Sequence, residues 1–243
     1  MTMIQILFLL LVNIFFVVWS IFLNYFGTFL LYSKNFFNCC ACQKFFLKKN
    51  FLLSCKFACS CGKELIYQPI IFTFLGIFIF NLVLLLCKTD IFFYFIFSSF
   101  LYVTIRTDAE TYLISRWVTL WAIPTYIFAA YFGLSPLSVE ASLAGALIGY
   151  FFLFSVRWVF FRYTGQEGMG LGDVELAAFI GSAIGPVGVW ITILFGSISG
   201  TIFMLLNRII KKESLLVIAF GPFLALTAII FCLFKSQIIE IFL

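Results

Sequence analysis

The fold is decided by the stretch Gly165-Gln166-Glu167-Gly168-Met169-Gly170-Leu171-Gly172-Asp173, a glycine-dense and partly charged interruption between two strongly apolar segments. Its carboxylate, Asp173, stands at the far edge of the stretch, where an apolar run begins. An ionisable side chain at such a place in a membrane protein is by default a candidate functional residue. We therefore expect Asp173 to be functional and to have a partner elsewhere in the chain.

The composition is that of a membrane protein. Of the 243 residues, 64% are apolar and only 10% are charged, whereas a soluble domain carries about 25% charged residues. Several apolar runs reach the roughly 20 residues that cross a bilayer as a helix. The first of them, 4–31, has no basic residue before it and no obvious cleavage site, which favours a retained span over a signal peptide.

The sequence predicts an all-α, polytopic membrane protein with about eight transmembrane helices in the lipid bilayer. Gly185-Pro186 is expected to interrupt a helix, because proline lacks a backbone donor and disfavours helix in the residue before it. The predicted domains are a first span (1–32), a cytoplasmic cysteine-rich loop (33–67) and a transmembrane core (68–243). The predicted spans are 4–31, 69–87, 91–105, 117–133, 137–161, 173–184, 187–206 and 214–234.

Charge predicts the orientation of these spans. With eight spans, the breaks 33–67, 106–116, 157–173 and 207–213 share one face, and they hold every basic residue except two, Lys88 and Lys235. The positive-inside rule places that face in the cytoplasm. Basic residues confined to short breaks between spans indicate membrane orientation, so we expect no nucleic-acid partner.

Asp108 is the predicted partner of Asp173, because both fall at the cytoplasmic rim. Two carboxylates that share a site do not ionise together readily, so one of them holds a proton. Such a pair can carry out aspartic-protease chemistry, with one member as general base and the other as general acid. The alternative is that Asp173 caps a helix and Asp108 is a solvated loop charge.

Three blocks of the sequence resemble the bacterial type IV prepilin peptidases, which are membrane aspartic proteases of the GxGD group. Residues 164–176 resemble the family's "tGkEGMGyGDfKL" segment, and residues 218–226 resemble its "iPFGPFLAL" segment. Residues 108–120 resemble its "DxdtxLlPDxltl" segment, in which the first aspartate is catalytic. The resemblance covers about residues 100–230 well and the first hundred residues poorly.

The resemblance implies an enzyme without a cofactor for its peptidase activity. Asp108 and Asp173 would be the catalytic pair, and an active-site loop would include Gly168, Met169, Gly170 and Gly172. The family cleaves the short basic leader of prepilins and pseudopilins on the cytoplasmic side of the bacterial inner membrane. We therefore expect prepilin-like protein substrates and an active site that faces the cytoplasm.

Two of the three blocks depart from the family pattern near the predicted aspartates. The family's Pro-Asp in the first block is Ser115-Arg116 here, so that a base replaces a carboxylate. The lysine that usually follows the second catalytic aspartate by two residues is Glu175. Each departure changes the electrostatics near the predicted site.

The loop 33–67 carries six of the chain's cysteines, in a pattern that resembles the paired CxxC motifs of many family members. Four thiolates in a reducing compartment suit a tetrahedral zinc site. The resemblance also implies a second activity in such members, methylation of the new N-terminus with S-adenosylmethionine, for which this chain keeps only part of the pattern. The alternatives to a zinc site are ordinary thiols or the remnants of a lost site. The candidate ligands are Cys39, Cys42, Cys61 and either Cys59 or Cys55.

Two other functions stay open. One is a non-catalytic membrane protein for the assembly of a pilus or secretion system. The other is a small transporter that uses the two aspartates for protons. Transporters usually place their coupling residues near the bilayer midplane, within repeated or broken spans. Asp108 and Asp173 fall at one rim and no repeat is evident, so the sequence favours the peptidase.

Overall fold

The structure is a computed structural model that describes residues 3–32, 56–58, 64–66, 69–87, 90–211, 218–235 and 237. Within these residues the protein is helical, as predicted, apart from one hairpin of two three-residue strands. The strands pair antiparallel, with Phe57 opposite Leu65. The elements are α1 (Met3–Tyr32), β1 (Lys56–Ala58), β2 (Glu64–Ile66), α2 (Pro69–Leu86), α3 (Ile91–Thr111), α4 (Arg116–Tyr131), α5 (Val139–Thr164), α6 (Leu171–Lys211) and α7 (Gly221–Leu233).

Four of the described helices are long and apolar enough to cross a membrane, and they are α1, α3, α5 and α6. Helices α2 and α7 are apolar but shorter. This pattern confirms a multi-pass membrane protein. As one straight helix the 41 residues of α6 would extend about 60 Å, roughly twice the thickness of the bilayer core. Instead α6 breaks at Gly185 (φ 81°, ψ −179°), just before Pro186, where the sequence predicts the interruption.

The chain divides into two compact units, Met1–Asn81 and Leu82–Leu243. In the first unit, polar side chains link α1 to α2: the Asn24 amide donates to the Thr73 hydroxyl at 3.1 Å, and the Asn81 amide donates to Asn13 Oδ1 at 3.2 Å. Such hydrogen bonds hold helices together in an apolar surrounding, where hydrophobic burial offers little. The predicted cysteine-rich loop lies outside the described residues except for β1 and β2, and the predicted domain boundaries stay a prediction.

The second unit is built on a close crossing of α5 and α6. A Cβ atom added at Gly145 would overlap the carbonyl oxygen of Gly181, and one added at Gly149 would overlap that of Ala177. The Ser142 hydroxyl donates to the Ser182 carbonyl across the same interface at 2.7 Å. Small residues at regular spacing let two membrane helices meet backbone to backbone. The register of α5 against α6 is therefore fixed.

An aromatic cluster joins α3 and α4 to α6. The ring of Tyr126 in α4 lies 5.0 Å from Phe93 and 5.9 Å from Phe97, both in α3. It also lies 5.4 Å from Phe179 in α6. Most of these ring pairs meet edge to face, the arrangement that aromatic quadrupoles favour. The cluster packs α3, the helix that carries Asp108, against α6, the helix that carries Asp173.

Three predicted boundaries are wrong. Span seven was expected to end at residue 206, but α6 continues to Lys211. Span three was expected to end at Ile105, but α3 continues to Thr111 and includes Arg106, which is 1% exposed, and Asp108. Charged residues indicated a solvated break, whereas Arg106 and Asp108 are buried within α3. The eighth span was expected from residue 214, but α7 begins only at Gly221, with Pro222 in its first turn, where a missing N–H costs nothing.

Candidate active site

Asp108 is held at the start of α7. Its side chain lies near the end of α3, is 4% exposed, and accepts a hydrogen bond from the backbone N–H of Gly221 at 2.9 Å. The first N–H groups of a helix have no partner within the helix and attract anions. A Cβ atom at Gly221 would lie only 2.7 Å from Asp108 Oδ2, so glycine is the residue that permits this approach.

Asp173 lies in the first turn of α6. Its carboxylate accepts a hydrogen bond from the backbone N–H of Gly170, the residue just before the helix. A side chain at the third helical position that reaches back in this way is half of a capping box. Asp173 therefore does cap the start of α6, as the alternative proposed. It also lies beside Asp108.

The two predicted carboxylates come together. Asp108 lies within electrostatic range of Asp173. Ile114, in the segment between α3 and α4, lies against both neighbouring glycines: a Cβ atom at Gly172 would be 2.9 Å from its Cβ, and one at Gly221 would be 3.1 Å from its Cδ1. Asp108 is thus buried in a helix, which excludes the alternative of a solvated loop charge.

The predicted active-site loop connects α5 to α6. Gly165 ends α5 in the left-handed conformation (φ 69°), and its N–H donates to the Phe161 carbonyl at 2.9 Å. A Cβ atom at Gly168 would overlap the ring of Phe160. A Cβ atom at Gly170 would lie 3.4 Å from Asp173 Oδ2. A larger residue would therefore press on a neighbour at Gly168 but would make only an ordinary contact at Gly170.

Arg157 of α5 holds this loop by hydrogen bonds to two of its residues. Its Nε donates to the Met169 carbonyl at 3.1 Å, and its Nη2 donates to Glu167 Oε1 at 2.7 Å. The same two charged side chains line a small cavity with Phe154, Trp158 and Phe161. The sequence indicated Arg157 only as the basic end of a span.

The two departures from the family pattern contact each other. Arg116, the first residue of α4, donates from Nε and from Nη2 to Glu175 Oε1 at 2.9 and 2.8 Å. Glu175 Oε2 accepts from the Thr119 hydroxyl at 3.2 Å. The opposite charges of the two departing residues were a signal in the sequence that they could pair.

The predicted metal ligands Cys39, Cys42, Cys55, Cys59 and Cys61 lie outside the described residues. Among the residues that are described, no group of three or more Cys, Asp or Glu side chains could hold a metal ion. Cys87 and Cys232 are buried free thiols, as their apolar surroundings predict.

The described geometry defines a class, a multi-pass helical membrane protein with two aspartates brought together from separate helices. Residues 95–205, which include both aspartates and the glycine-rich loop, match the Type IV leader peptidase family. The resemblance that the motifs predict is therefore confirmed for this part of the chain.

Three relatives show the extent of the similarity. The chain is 37% identical over 137 residues to the prepilin leader peptidase/N-methyltransferase of Pseudomonas aeruginosa, covering 56% of this chain and 47% of that protein. It is 41% identical over 105 residues to the protein of the same name from Stutzerimonas stutzeri, covering 42% and 35%. With that of Dichelobacter nodosus it shares 36% over 135 residues, covering 56% and 46%. The chain thus spans about half or less of these relatives. No solved structure matches it.

Proposed function

We propose that this chain is a membrane aspartic endopeptidase that removes the short basic leader of type IV prepilins or pseudopilins. Asp108 and Asp173 are the proposed catalytic pair. The observation that carries the proposal is that two aspartates 65 positions apart (173 − 108) meet at Ile114, which lies against both Gly221, the donor to Asp108, and Gly172, the neighbour of Asp173. They do so in a region similar to leader peptidases. An assembly protein or a transporter has no comparable support from the matched family.

The proposed chemistry needs only the two carboxylates and a water molecule. The ionised member takes a proton from water as the water oxygen bonds to the scissile carbonyl carbon, and the protonated member donates to the carbonyl oxygen. When the tetrahedral intermediate collapses, the C–N bond breaks and the leaving amine takes a proton from the pair. A hydroxyl proton of the intermediate passes to the other carboxylate as the product carbonyl forms, so the pair again holds one proton. No cofactor enters this sequence of steps.

The proposed membrane arrangement has eight crossings, with α6 counted as two because of the break at Gly185. The eight helical stretches coincide in order with the eight predicted spans. In the proposed orientation the breaks that hold nearly all basic residues lie in the cytoplasm, and the protein resides in the bacterial inner membrane. Both aspartates then lie at the cytoplasmic rim, where a basic leader is available for cleavage.

Cleavage of a prepilin by the purified full chain tests the proposal. Asp108→Asn and Asp173→Asn keep the shape of each side chain but remove its acid–base function, so we expect each to lower the cleavage rate by at least about 100-fold. Asp90→Asn is the matched control, because Asp90 lies exposed at the opposite end of α3 in a left-handed conformation that asparagine tolerates. If both site variants cleave as fast as the parent, the catalytic assignment is wrong.

A second candidate activity is methylation of the new N-terminus with S-adenosylmethionine, together with zinc held by the cysteine-rich loop. It is supported by the names of the matched relatives, which include N-methyltransferase, and by the cysteine spacing. Metal analysis of the purified protein against a Cys39→Ser/Cys42→Ser variant tests the zinc site. Equal zinc content in the two proteins would contradict these ligands, and unmethylated cleavage product would contradict the second activity.

A further inference from the structure

The Arg116–Glu175 ion pair is better built than an ordinary surface pair. The Glu175 side chain is nearly buried (5% exposed), and both of its oxygens accept hydrogen bonds. Thr119, which donates one of them, is fully buried. Arg116 is 61% exposed, so solvent weakens its charge, but its guanidinium reaches a carboxylate that has little access to water.

Each charge of the ion pair stands where it would be unfavourable without the other. Arg116 begins α4, where the helix dipole disfavours a cation, whereas an anion at the same place is favoured. Glu175 supplies that anion. A buried carboxylate in turn needs charge or hydrogen-bond partners, because desolvation is costly when they are lacking. Each member therefore offsets the unfavourable placement of the other.

Each member of the ion pair lies two residues from a part of the proposed site. Glu175 follows Asp173 by two residues in α6, and at 3.6 residues per turn the two side chains point about 200° apart. Asp173 thus points to the site, while Glu175 points to α4. Arg116 follows Ile114 by two residues, and Ile114 lies against Gly172 and Gly221.

We propose that Arg116 and Glu175 are positioning residues for the proposed peptidase. Their ion pair holds residues 112–115 against the starts of α6 and α7, and thereby sets the position of Asp108 relative to Asp173. They stand at the two positions where the sequence departs from the family pattern of an aspartate and a lysine, and the signs of both charges are exchanged. This inference rests on the proposed peptidase function.

Charge exchange tests the pair. Arg116→Asp and Glu175→Lys each bring two like charges together, whereas the double variant restores attraction with the signs reversed. A displacement of about 1 Å at a catalytic group costs up to about 100-fold, so we expect each single variant to lower kcat towards that extent with little change in KM. The double variant should recover most of the loss. Arg162→Asp is the control, since Arg162 is an exposed cation in the last turn of α5.

A second measurement does not depend on activity. A Cβ atom at Gly172 would lie 2.9 Å from that of Ile114, so that a separation of about 0.6 Å or slightly more brings the pair to the roughly 3.5–4.5 Å of a disulfide. Ile114→Cys/Gly172→Cys should therefore cross-link readily, as detected by mass spectrometry. Each single charge variant should slow this cross-link, and the double variant should restore it.

The outcomes separate the two proposals. If the parent cleaves no prepilin, the proposed function fails, while the cross-link still decides whether the pair positions residues 112–115. If folded single variants, with thermal unfolding unchanged, cross-link and cleave like the parent, the positioning role is wrong. A double variant that folds but recovers neither cross-linking nor kcat overturns it as well.

Discussion

Gly221→Ala is the sharpest single test of how Asp108 is held. The added Cβ would lie 2.7 Å from Asp108 Oδ2, whereas ordinary contact begins at 3.4 Å, so the carboxylate or the start of α7 must move by about 0.7 Å. That movement strains the 2.9 Å hydrogen bond from the Gly221 N–H. A hydrogen bond to a charged group contributes about 1.5–3 kcal/mol. If the whole of it is lost in the transition state, the cleavage rate falls about 10- to 100-fold.

The assay is cleavage of a prepilin by the parent and the variant at equal folded concentration, with thermal unfolding measured in the same detergent. Gly200→Ala is the control: it also adds a methyl group between α6 and α7, but its nearest neighbour, a Phe223 ring carbon, is 3.6 Å away. We expect the control to keep the parent rate and to be no less stable, because alanine favours helix over glycine. Parent-like cleavage by folded Gly221→Ala would refute the argument that this contact places Asp108.

Three further predictions concern the α5–α6 hairpin. Gly181→Ala should lower the free energy of unfolding by about 1–3 kcal/mol, because its methyl group would overlap the Gly145 carbonyl; an unchanged unfolding midpoint would contradict the close crossing. Arg157→Gln should slow cleavage and expose the loop to limited proteolysis, since the Met169 carbonyl loses its donor. Glu167→Gln should have a smaller effect than Arg157→Gln, because Glu167 is 69% exposed and exposed ion pairs contribute only about 0–1 kcal/mol; equal effects would show that the ion pair dominates.

Much of the architecture could be predicted from apolar length and backbone chemistry. Span positions follow from runs of apolar residues, and the break in α6 follows from Gly185-Pro186. The pairing of Asp108 with Asp173 followed from counting crossings, because an even number of spans between polar breaks returns the chain to the same side. These signals lie within short segments or depend only on whether the number of crossings is even. They can therefore be found in a single sequence.

What could not be predicted depends on contacts between distant segments. Arg106 and Asp108 indicated a solvated break, yet burial against neighbouring helices keeps both in α3. The hydrogen bond from the Gly221 N–H to Asp108 joins positions 113 residues apart. No local sequence pattern predicts it. Arg116 and Glu175 have opposite charges, which indicated that they could pair, but their contact is fixed only once α4 and α6 are packed.

The backbone contact between α5 and α6 has a consequence for insertions and deletions. Gly181 fixes the rotation of α6 about its own axis, and Asp173 lies eight residues earlier on the same helix. One residue inserted between them would turn the aspartate by about 100°, away from Asp108, and α6 could not rotate back without forcing side chains into the Gly145 backbone. The length of this short segment is thus as restricted as the identity of its residues, whereas the chain beyond Gly185 is free of that constraint on the aspartate.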